Sequence, residues 1–367
     1  MRPIPQRQSL VSQTVAILRD EIEQGAWGEW LPAERVLCGS LQVSRNTLRL
    51  ALQQLRRDGL IQPEHGAGTR ILAQTGRGGK RLQSRDVGLL LPDPMEHLRP
   101  TQALWIDELR AMLSERGCRL HTFHGRQYFR ANPAPALRKL VAQNPHGCWI
   151  LTLSNETIQH WFERNEIPCV IAGSVHPGRH LPFRDLDHRA TCRHAAGVFL
   201  GLGHRSMALL MAKSQLAGDL ESEAGFLDGV RASSQTGAEV LVRCHDGTVA
   251  GISNLLRRLM EQKAPPTALL VANAYHYLTV VSRLAQMKLQ IPQDISVISR
   301  DEDPFLSFLV PRPARYVVSA QALAKSLLQP VLELLEGRSV TQPALRLMPE
   351  FIRGETVAEP SAGASVE

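Results

Sequence analysis

The chain has 367 residues, of which 43% are hydrophobic and 21% are charged, so we expect two or three globular domains and exclude a globally disordered chain. No stretch approaches about 18 consecutive apolar residues, which argues against a membrane span. The net charge is +7, and residues 1–86 contain 13 Lys and Arg against 8 Asp and Glu, so positive charge is concentrated where a phosphate-binding surface would lie.

The N-terminal segment and the cysteine pattern both favour a cytoplasmic protein. The opening stretch, MRPIPQRQSLVSQ, lacks the apolar run of a signal peptide. The six cysteines contain no CxxC pair, which favours reduced structural thiols over a disulfide framework or a zinc site. We therefore expect a soluble, cytoplasmic chain without a bound metal or other cofactor.

The first 75 residues predict three helices followed by a hairpin. Apolar residues recur at helical spacing over 9–24. A short second helix follows Pro32, and Ser44 is a good N-cap for a third helix that starts at Arg45. Two strand-like runs then flank a glycine-rich tip at 65–68. This order is that of a winged helix-turn-helix, an α+β domain whose third helix enters the major groove of DNA.

The exposed face of the third helix carries side chains that can read DNA. It begins with Ser44, Arg45, Asn46, Thr47 and Arg49. Arginine pairs bidentately with guanine and asparagine with adenine, whereas serine and threonine bond to bases or phosphates. The alternative, a solvated basic helix, is disfavoured because the polar residues, the cap and the wing occur together and in order.

The stretch LPAERVLCGSLQVSRNTLRLALQQLRRDGLIQPEHGAGTRIL resembles the DNA-binding domain of the GntR family. The similarity lies in an LPSER-like entry, a VSRxTVRxAL-like recognition helix, an L-x-x-x-G-L-I segment and a GxGT-like wing. It implies DNA contacts on the recognition helix, at its entry and at the wing tip. Those positions are Arg35, Arg45, Thr47, Arg49, His65 and Gly66, with Ser44 and Asn46 as helpers.

Composition predicts the domain boundaries. Residues 1–73 form the winged helix-turn-helix domain, and 74–86, QTGRGGKRLQSRD, are typical of a flexible basic linker. A larger domain covers 87–356, and we expect 357–367 to be a disordered tail.

Strands and helices alternate through the larger domain. Apolar runs predict strands at 87–91, 118–123, 148–153, 169–172, 207–211, 239–243, 268–272 and 295–299, with helices between most of them. Such alternation indicates an α/β fold with parallel sheets, in which ligands bind beyond the carboxyl ends of the strands.

Three segments of this region resemble the sugar-responsive core of the LacI/GalR family. They are HAAGVFLGLGHRSMALL, APPTALLVANAYHYLTVVSRLAQMKLQIPQDISVISRDEDP and LMPEFIRGET. The resemblance covers about 86–356. It implies a periplasmic-binding-protein-like fold of two Rossmann-like lobes joined by crossing strands, with a ligand cleft between the lobes, and usually a dimer.

The effector-binding residues of that family are only partly present. An arginine three residues before a helical glycine often binds the effector, but here Gly225 is preceded at that position by Ser222. The asparagine after a central strand is present as Asn273, and the aspartate of a later turn as Asp301. Asp93, at the end of the first strand, is a further candidate, or equally a turn residue. The effector is a sugar, another small molecule, or absent.

Three functional hypotheses follow. The preferred one is an effector-controlled transcriptional regulator, a repressor rather than an activator, that binds palindromic operator DNA as a homodimer. In the second, the large domain serves only dimerisation. The third is an aminotransferase-like enzyme fused to a winged helix. It is disfavoured by the LacI/GalR resemblance and by the lack of a catalytic motif such as a P-loop or nucleophile elbow in the sequence.

Overall fold

The protein divides into two compact units, 1–80 and 81–367. The computed structural model describes residues 10–23, 27, 30–64, 68–72, 84–233 and 237–361. The division falls within the predicted linker, most of which lies outside the described residues. Each unit is described by itself below.

The N-terminal unit, in its described part, contains three helices and a two-stranded hairpin. These are α1 (Leu10–Glu23), α2 (Glu34–Leu41), α3 (Arg45–Arg57), β1 (Ile61–Glu64) and β2 (Gly68–Ile71). Leu18, Leu48 and Leu55 are fully buried between the helices. The two strands pair antiparallel, with Ile61 opposite Ile71. The predicted order of a winged helix-turn-helix is confirmed.

The large unit is built from alternating strands and helices. The first part comprises β3 (Asp86–Leu91), α4 (Pro100–Ser114), β4 (Arg119–His124), α5 (Ala134–Gln143), β5 (Cys148–Thr152), α6 (Glu156–Arg164), β6 (Cys169–Ala172) and β7 (Phe183–Leu186). The second comprises α7 (His188–Gly201), β8 (Ser206–Ala212), α8 (Ala217–Arg231), β9 (Glu239–His245), α9 (Val249–Met260), β10 (Ala268–Val271), α10 (Ala274–Gln286), β11 (Ser296–Ser299) and β12 (Ala314–Val317). The last comprises α11 (Ala320–Leu335), β13 (Ala344–Leu347) and β14 (Glu350–Ile352).

Within the described residues, the strands of the large unit form two six-stranded sheets, one in each lobe. The first lobe has the order β13-β7-β6-β5-β3-β4, with parallel pairing throughout. The second lobe has the order β14-β12-β11-β10-β8-β9, in which β14 alone runs antiparallel to its neighbour. The strand β10 is buried at all four positions, as expected for a parallel strand covered by helices on both faces. The predicted pair of Rossmann-like lobes is confirmed.

The chain passes between the lobes at the ends of β7, β12 and β13. After β12, helix α11 returns to the first lobe, where Leu327 and Val331 are buried against Leu109 of α4. These crossings place the carboxyl ends of both sheets on opposite sides of one cleft.

Five of the eleven residues of the predicted disordered tail, 357–361, are described in the structure. Val357 is 9% exposed and packs in the core of the second lobe. The carbonyl of Ala358 accepts a hydrogen bond from Nε2 of the buried His204 at 2.9 Å. A buried imidazole needs such partners, so the chain is held at least to this point, and the boundary at 356 is too early. Residues 362–367 lie outside the described part. No described helix has the length and apolarity that crossing a membrane would require.

Candidate functional site

Helix α3 begins with a capped turn that presents polar side chains to solvent. Ser44 Oγ accepts a hydrogen bond from the backbone N–H of Thr47 at 3.1 Å and lies 2.8 Å from Thr47 Oγ1. Arg45 and Asn46 are exposed in this turn. The opposite face of the helix, including Leu48, is buried in the core, which fixes the direction in which the polar face points.

Arg49 and Arg35 extend this polar face. Arg49 Nε donates a hydrogen bond to Glu34 Oε2 at 3.1 Å, and the two side chains are 66% and 43% exposed. A surface ion pair of this kind contributes about 0–1 kcal/mol, so Arg49 can exchange its partner for DNA at little cost. Arg35 is exposed on α2. His65 and Gly66, the predicted wing-tip contacts, lie outside the described residues.

A cleft of about 440 Å³ lies between the lobes of the large unit. Its polar and aromatic walls come from both lobes and consist largely of residues at or just beyond strand ends and at helix starts. They include Arg99, Gln102, Trp105, Thr152, Ser154, Ser174, Asp185, His188, Asp219, Asn273, His276, Arg300, Asp301 and Tyr316. Apolar residues such as Leu104, Leu216 and Val318 complete the walls. A cavity lined by apolar residues and convergent polar groups is typical of a small-molecule site.

A chain of ion pairs joins the two lobes at this cleft. Asp301 Oδ2 accepts a hydrogen bond from Nη1 of Arg99, which caps α4 in the first lobe, at 2.7 Å. Asp301 Oδ1 accepts one from Arg300 Nε at 3.0 Å. Arg300 Nη1 in turn donates to Asp219 Oδ1 at 3.1 Å. The Arg300 and Asp301 side chains are only 9% and 10% exposed.

The paired charges keep each other ionised despite burial. Burial by itself raises the pKa of Asp301, but Arg300 and Arg99 outweigh it and hold this pKa well below its ordinary value. Burial lowers the pKa of Arg300, but Asp301 and Asp219 outweigh it and hold this pKa above its ordinary value. The cleft therefore contains charged donors and acceptors at neutral pH.

The predicted effector residues lie in different places. Asn273 and Asp301 line the cleft. Asn273 also caps α10, since its Oδ1 accepts hydrogen bonds from the N–H groups of Tyr275 and His276. Ser222 is fully buried behind the cleft wall. Asp93 accepts a hydrogen bond from Arg126 Nε at 2.9 Å and is not among the residues that line the cleft.

Sequence reasoning missed Arg300 and Arg99. Arg300 Nη1 donates to Ser222 Oγ at 2.7 Å, so a guanidinium lies against the position where the LacI/GalR resemblance leads one to expect an arginine. The sequence shows a serine at 222, where an arginine was expected, and an arginine next to Asp301. Nothing in the sequence showed that these two side chains are in contact. Arg99 lies 202 positions from its partner Asp301 in the sequence, so residue spacing could not predict their contact.

Two histidine rings contact each other beside the cleft, and one of them, His276, lines it. The rings of His245 and His276 meet edge to face with centroids 4.6 Å apart. Nε2 of His245 and Nδ1 of His276 are buried without a hydrogen-bond partner in the described part of the chain. Burial, followed by the neighbouring His276, lowers the pKa of His245 to about 4. Burial and then Arg99 lower the pKa of His276. Both rings are therefore neutral at pH 7.

Acidification below pH 6.5 is expected to destabilise the large unit. His245 protonates with its ordinary pKa of 6.5 in the unfolded chain but only near pH 4 in the folded one. Between these values the unfolded state binds more protons, so the free energy of unfolding falls as pH falls, by up to about 1.4 kcal/mol per pH unit. Urea denaturation at pH 7 and pH 5 measures this loss, and His245→Asn should reduce it. An equal loss in the variant would assign the pH dependence to other groups.

Comparison with known families supports both halves of this description. Residues 10–71 match the profile of bacterial regulatory proteins of the gntR family. The N-terminal unit is a gntR-family helix-turn-helix domain. Residues 196–357, which begin within the second lobe, match the periplasmic binding protein-like domain.

Relatives of the chain are transcriptional regulators. AglR of Rhizobium meliloti is 31% identical over 140 residues, which cover 37% of this chain and 38% of AglR. MalR of Streptomyces coelicolor is 24% identical over 199 residues, which cover 53% of this chain and 57% of MalR. The chain thus spans between 38% and 57% of the length of these two curated relatives. Both are named HTH-type transcriptional regulators, not enzymes, which argues against the aminotransferase-like hypothesis.

The fold is shared with solved regulator structures. The complex of the transcriptional regulator CelR with cellobiose aligns with a TM-score of 0.66 over 95% of this chain and 100% of CelR, at 17% identity. At that identity the similarity establishes the fold.

Proposed function

We propose that the chain is a DNA-binding transcriptional regulator, a repressor, whose affinity for its operator is controlled by a small molecule in the cleft. The observation that carries this proposal is the presence in one chain of a gntR-family domain and a cleft with buried, ionised hydrogen-bonding groups. A module that served only dimerisation would not need the charged pairs of Arg99, Asp301 and Arg300 inside a cavity, because burying charges is costly.

The proposed effector is a carbohydrate. Sugars are recognised by convergent donors and acceptors, and the cleft offers guanidinium and amide donors beside carboxylate acceptors, with Trp105 and Tyr316 in its walls. A regulator of the same fold, CelR, is known in complex with cellobiose. Asn273 and Asp301 remain the proposed sequence-derived contacts, with Ser222 acting from behind the wall.

Thermal unfolding of the full chain with individual sugars tests this assignment. A ligand that binds the folded state at 100 times its dissociation constant stabilises that state by about 2.7 kcal/mol, a shift of several degrees. The sugars are ribose, glucose, galactose, maltose and cellobiose, and the blank is the same protein without sugar. A rise in melting temperature for at least one sugar is expected. No rise with any of them would favour the hypothesis that the large domain serves only dimerisation.

We also propose that the regulator is a homodimer that binds a palindromic operator. Three large apolar side chains of the second lobe, Phe308, Val310 and Leu278, are exposed and available for self-association. Their exposed fractions are 83%, 94% and 40%. Leu278 and Val310 line one groove with the aliphatic part of Lys288. Exposure of this much apolar surface is unfavourable in a monomer, and a two-fold dimer matches a two-fold DNA site.

The double substitution Phe308→Ser with Val310→Ser is expected to weaken the dimer at least tenfold. Removing two large exposed apolar side chains removes their hydrophobic contribution to association, while the folded monomer loses little. Sedimentation velocity across nanomolar to micromolar concentrations measures the change. The control is Val249→Ser, which removes another exposed apolar residue (67%) of the same lobe away from these three side chains. If the double variant dimerises like the control, the dimer uses another surface.

A further inference from the structure

Arg300 is held in the cleft by three hydrogen bonds from two nitrogens of its guanidinium, Nε and Nη1. Nε donates to Asp301 Oδ1, and Nη1 donates both to Asp219 Oδ1 and to Ser222 Oγ. These bonds use three of the five N–H donors. Within the described part of the chain, Nη2 has no hydrogen-bond acceptor. It is also not among the fully buried polar atoms that lack a partner. The two remaining donors belong to Nη2, and Arg300 is one of the residues that line the cavity.

We propose that Arg300 is a specificity-determining residue of the cleft, and that its Nη2 edge donates hydrogen bonds to hydroxyl oxygens of a neutral sugar. This inference rests on the proposed function of the cleft as an effector site. A planar guanidinium presents its donors in a fixed fork, which suits two adjacent hydroxyl oxygens better than a flexible ammonium group does.

The charges around Arg300 select a neutral ligand. Asp219 and Asp301 lie within 3.1 Å of the guanidinium, and with Arg99 the two arginines and two aspartates of this cluster sum to zero charge. Arg99, the other cation of this cluster, is already paired with Asp301 at 2.7 Å. A phosphate or carboxylate bound at Nη2 would approach the carboxylates of Asp219 and Asp301 in a partly desolvated site, where like charges repel strongly. A hydroxyl group meets no such penalty.

Asp301, Asp219 and Ser222 act as positioning residues for Arg300. An arginine side chain loses much rotamer freedom when a ligand immobilises it, and this loss weakens binding. Here the loss is already incurred in the folded protein, because three acceptors fix the guanidinium before a ligand arrives. Asp301 thus has two proposed roles, since it lines the cleft as a ligand contact and also positions Arg300.

The test compares Arg300→Lys with Arg315→Met by isothermal titration of the full chain. Lysine keeps a positive charge for Asp219 and Asp301 but lacks the second donor edge. Arg315 is the matched control, because its Nε donates to Glu302 Oε2 at 2.6 Å and its side chain is 17% exposed, yet it does not line the cleft. The probes are ribose, glucose, galactose, maltose and cellobiose, with glucose 6-phosphate and glucuronate as anionic probes.

We expect a neutral sugar to bind the wild type, to bind Arg300→Lys at least tenfold more weakly, and to bind Arg315→Met within threefold of wild type. Equal binding to Arg300→Lys would overturn the inference and leave the proposed function standing. Binding of only an anionic probe would also overturn it. Binding of no probe to the wild type would remove the proposed function and the inference with it. Arg300→Gln, which has no charge and a smaller donor group, is the second variant and is expected to show the same loss if the lysine variant does not fold.

Discussion

Replacing Asp301 with alanine is expected to abolish the response to the effector and to destabilise the large unit by about 3–5 kcal/mol. The carboxylate is shared by Arg99 and Arg300, one from each lobe, so Arg99 would lose its carboxylate partner and the buried Arg300 would lose one of its three acceptors. Removing one partner of a buried pair leaves an uncompensated charge, which is the costly case. Urea denaturation measures the stability, and sugar titration measures the response, while binding to operator DNA should persist.

Two variants separate this effect from general damage. Asp301→Asn keeps the size and one acceptor oxygen, so we expect a smaller loss of stability and a strongly weakened response. Asp93→Ala removes an ion pair to Arg126 whose side chains are 35% and 82% exposed, and we expect less than about 1 kcal/mol and an unchanged response. An Asp301→Ala protein that still releases DNA at the wild-type sugar concentration would show that this carboxylate has only a structural role.

Arg45→Ala and Arg49→Ala are each expected to weaken specific DNA binding by about 1–3 kcal/mol, or roughly 5- to 150-fold. Both side chains project from the start of α3, the end of the recognition helix that meets base edges. Arg49 gives up only an exposed contact with Glu34 when it binds DNA. Operator fragments selected from a randomised pool by the full chain supply the DNA, and fluorescence anisotropy supplies the affinities.

The salt dependence of binding distinguishes base contacts from phosphate contacts. A lost phosphate contact lowers the slope of log K against log salt by about one and weakens all sequences alike, whereas a lost base contact relaxes specificity at one position. Arg57→Ala, at the far end of the same helix, is the control and should change the affinity little. Unchanged operator affinity in both the Arg45 and the Arg49 variant would remove the assignment of α3 as the DNA-reading helix.

Local patterns in the sequence were sufficient to predict most elements of the fold. Apolar periodicity identified α3, and continuous apolar runs identified buried strands such as β10. The strand β7, FRDL, was missed because its buried members are charged. Arg184 is 3% exposed and is satisfied by the backbone carbonyl of Ser326, and Asp185 accepts a hydrogen bond from Ser174. The helix α11 was missed as well, because a proline such as Pro330 inside a segment usually argues against a continuous helix.

The candidate site was less accessible from sequence because it depends on tertiary contacts. The rule that ligands gather beyond strand ends correctly placed Asn273 and Asp301 in the cleft. It did not place Asp93, which follows a strand of the first lobe but pairs with Arg126 instead of lining the cleft. It also gave no reason to prefer Arg300, whose importance arises from its neighbour Asp301 and from two partners on α8, Asp219 and Ser222.

If the proposed function is correct, a sugar in the cleft changes the affinity of the protein for its operator. The most direct measurement is the operator dissociation constant of the full chain at rising concentrations of a sugar that binds it, followed by anisotropy at constant ionic strength. A coupling of about 1.4 kcal/mol or more appears as at least a tenfold weakening of operator binding at saturation. We expect this weakening in the wild type and its loss in Arg300→Lys at the same sugar concentration. A sugar that saturates the cleft and leaves the operator dissociation constant unchanged would contradict the proposed function.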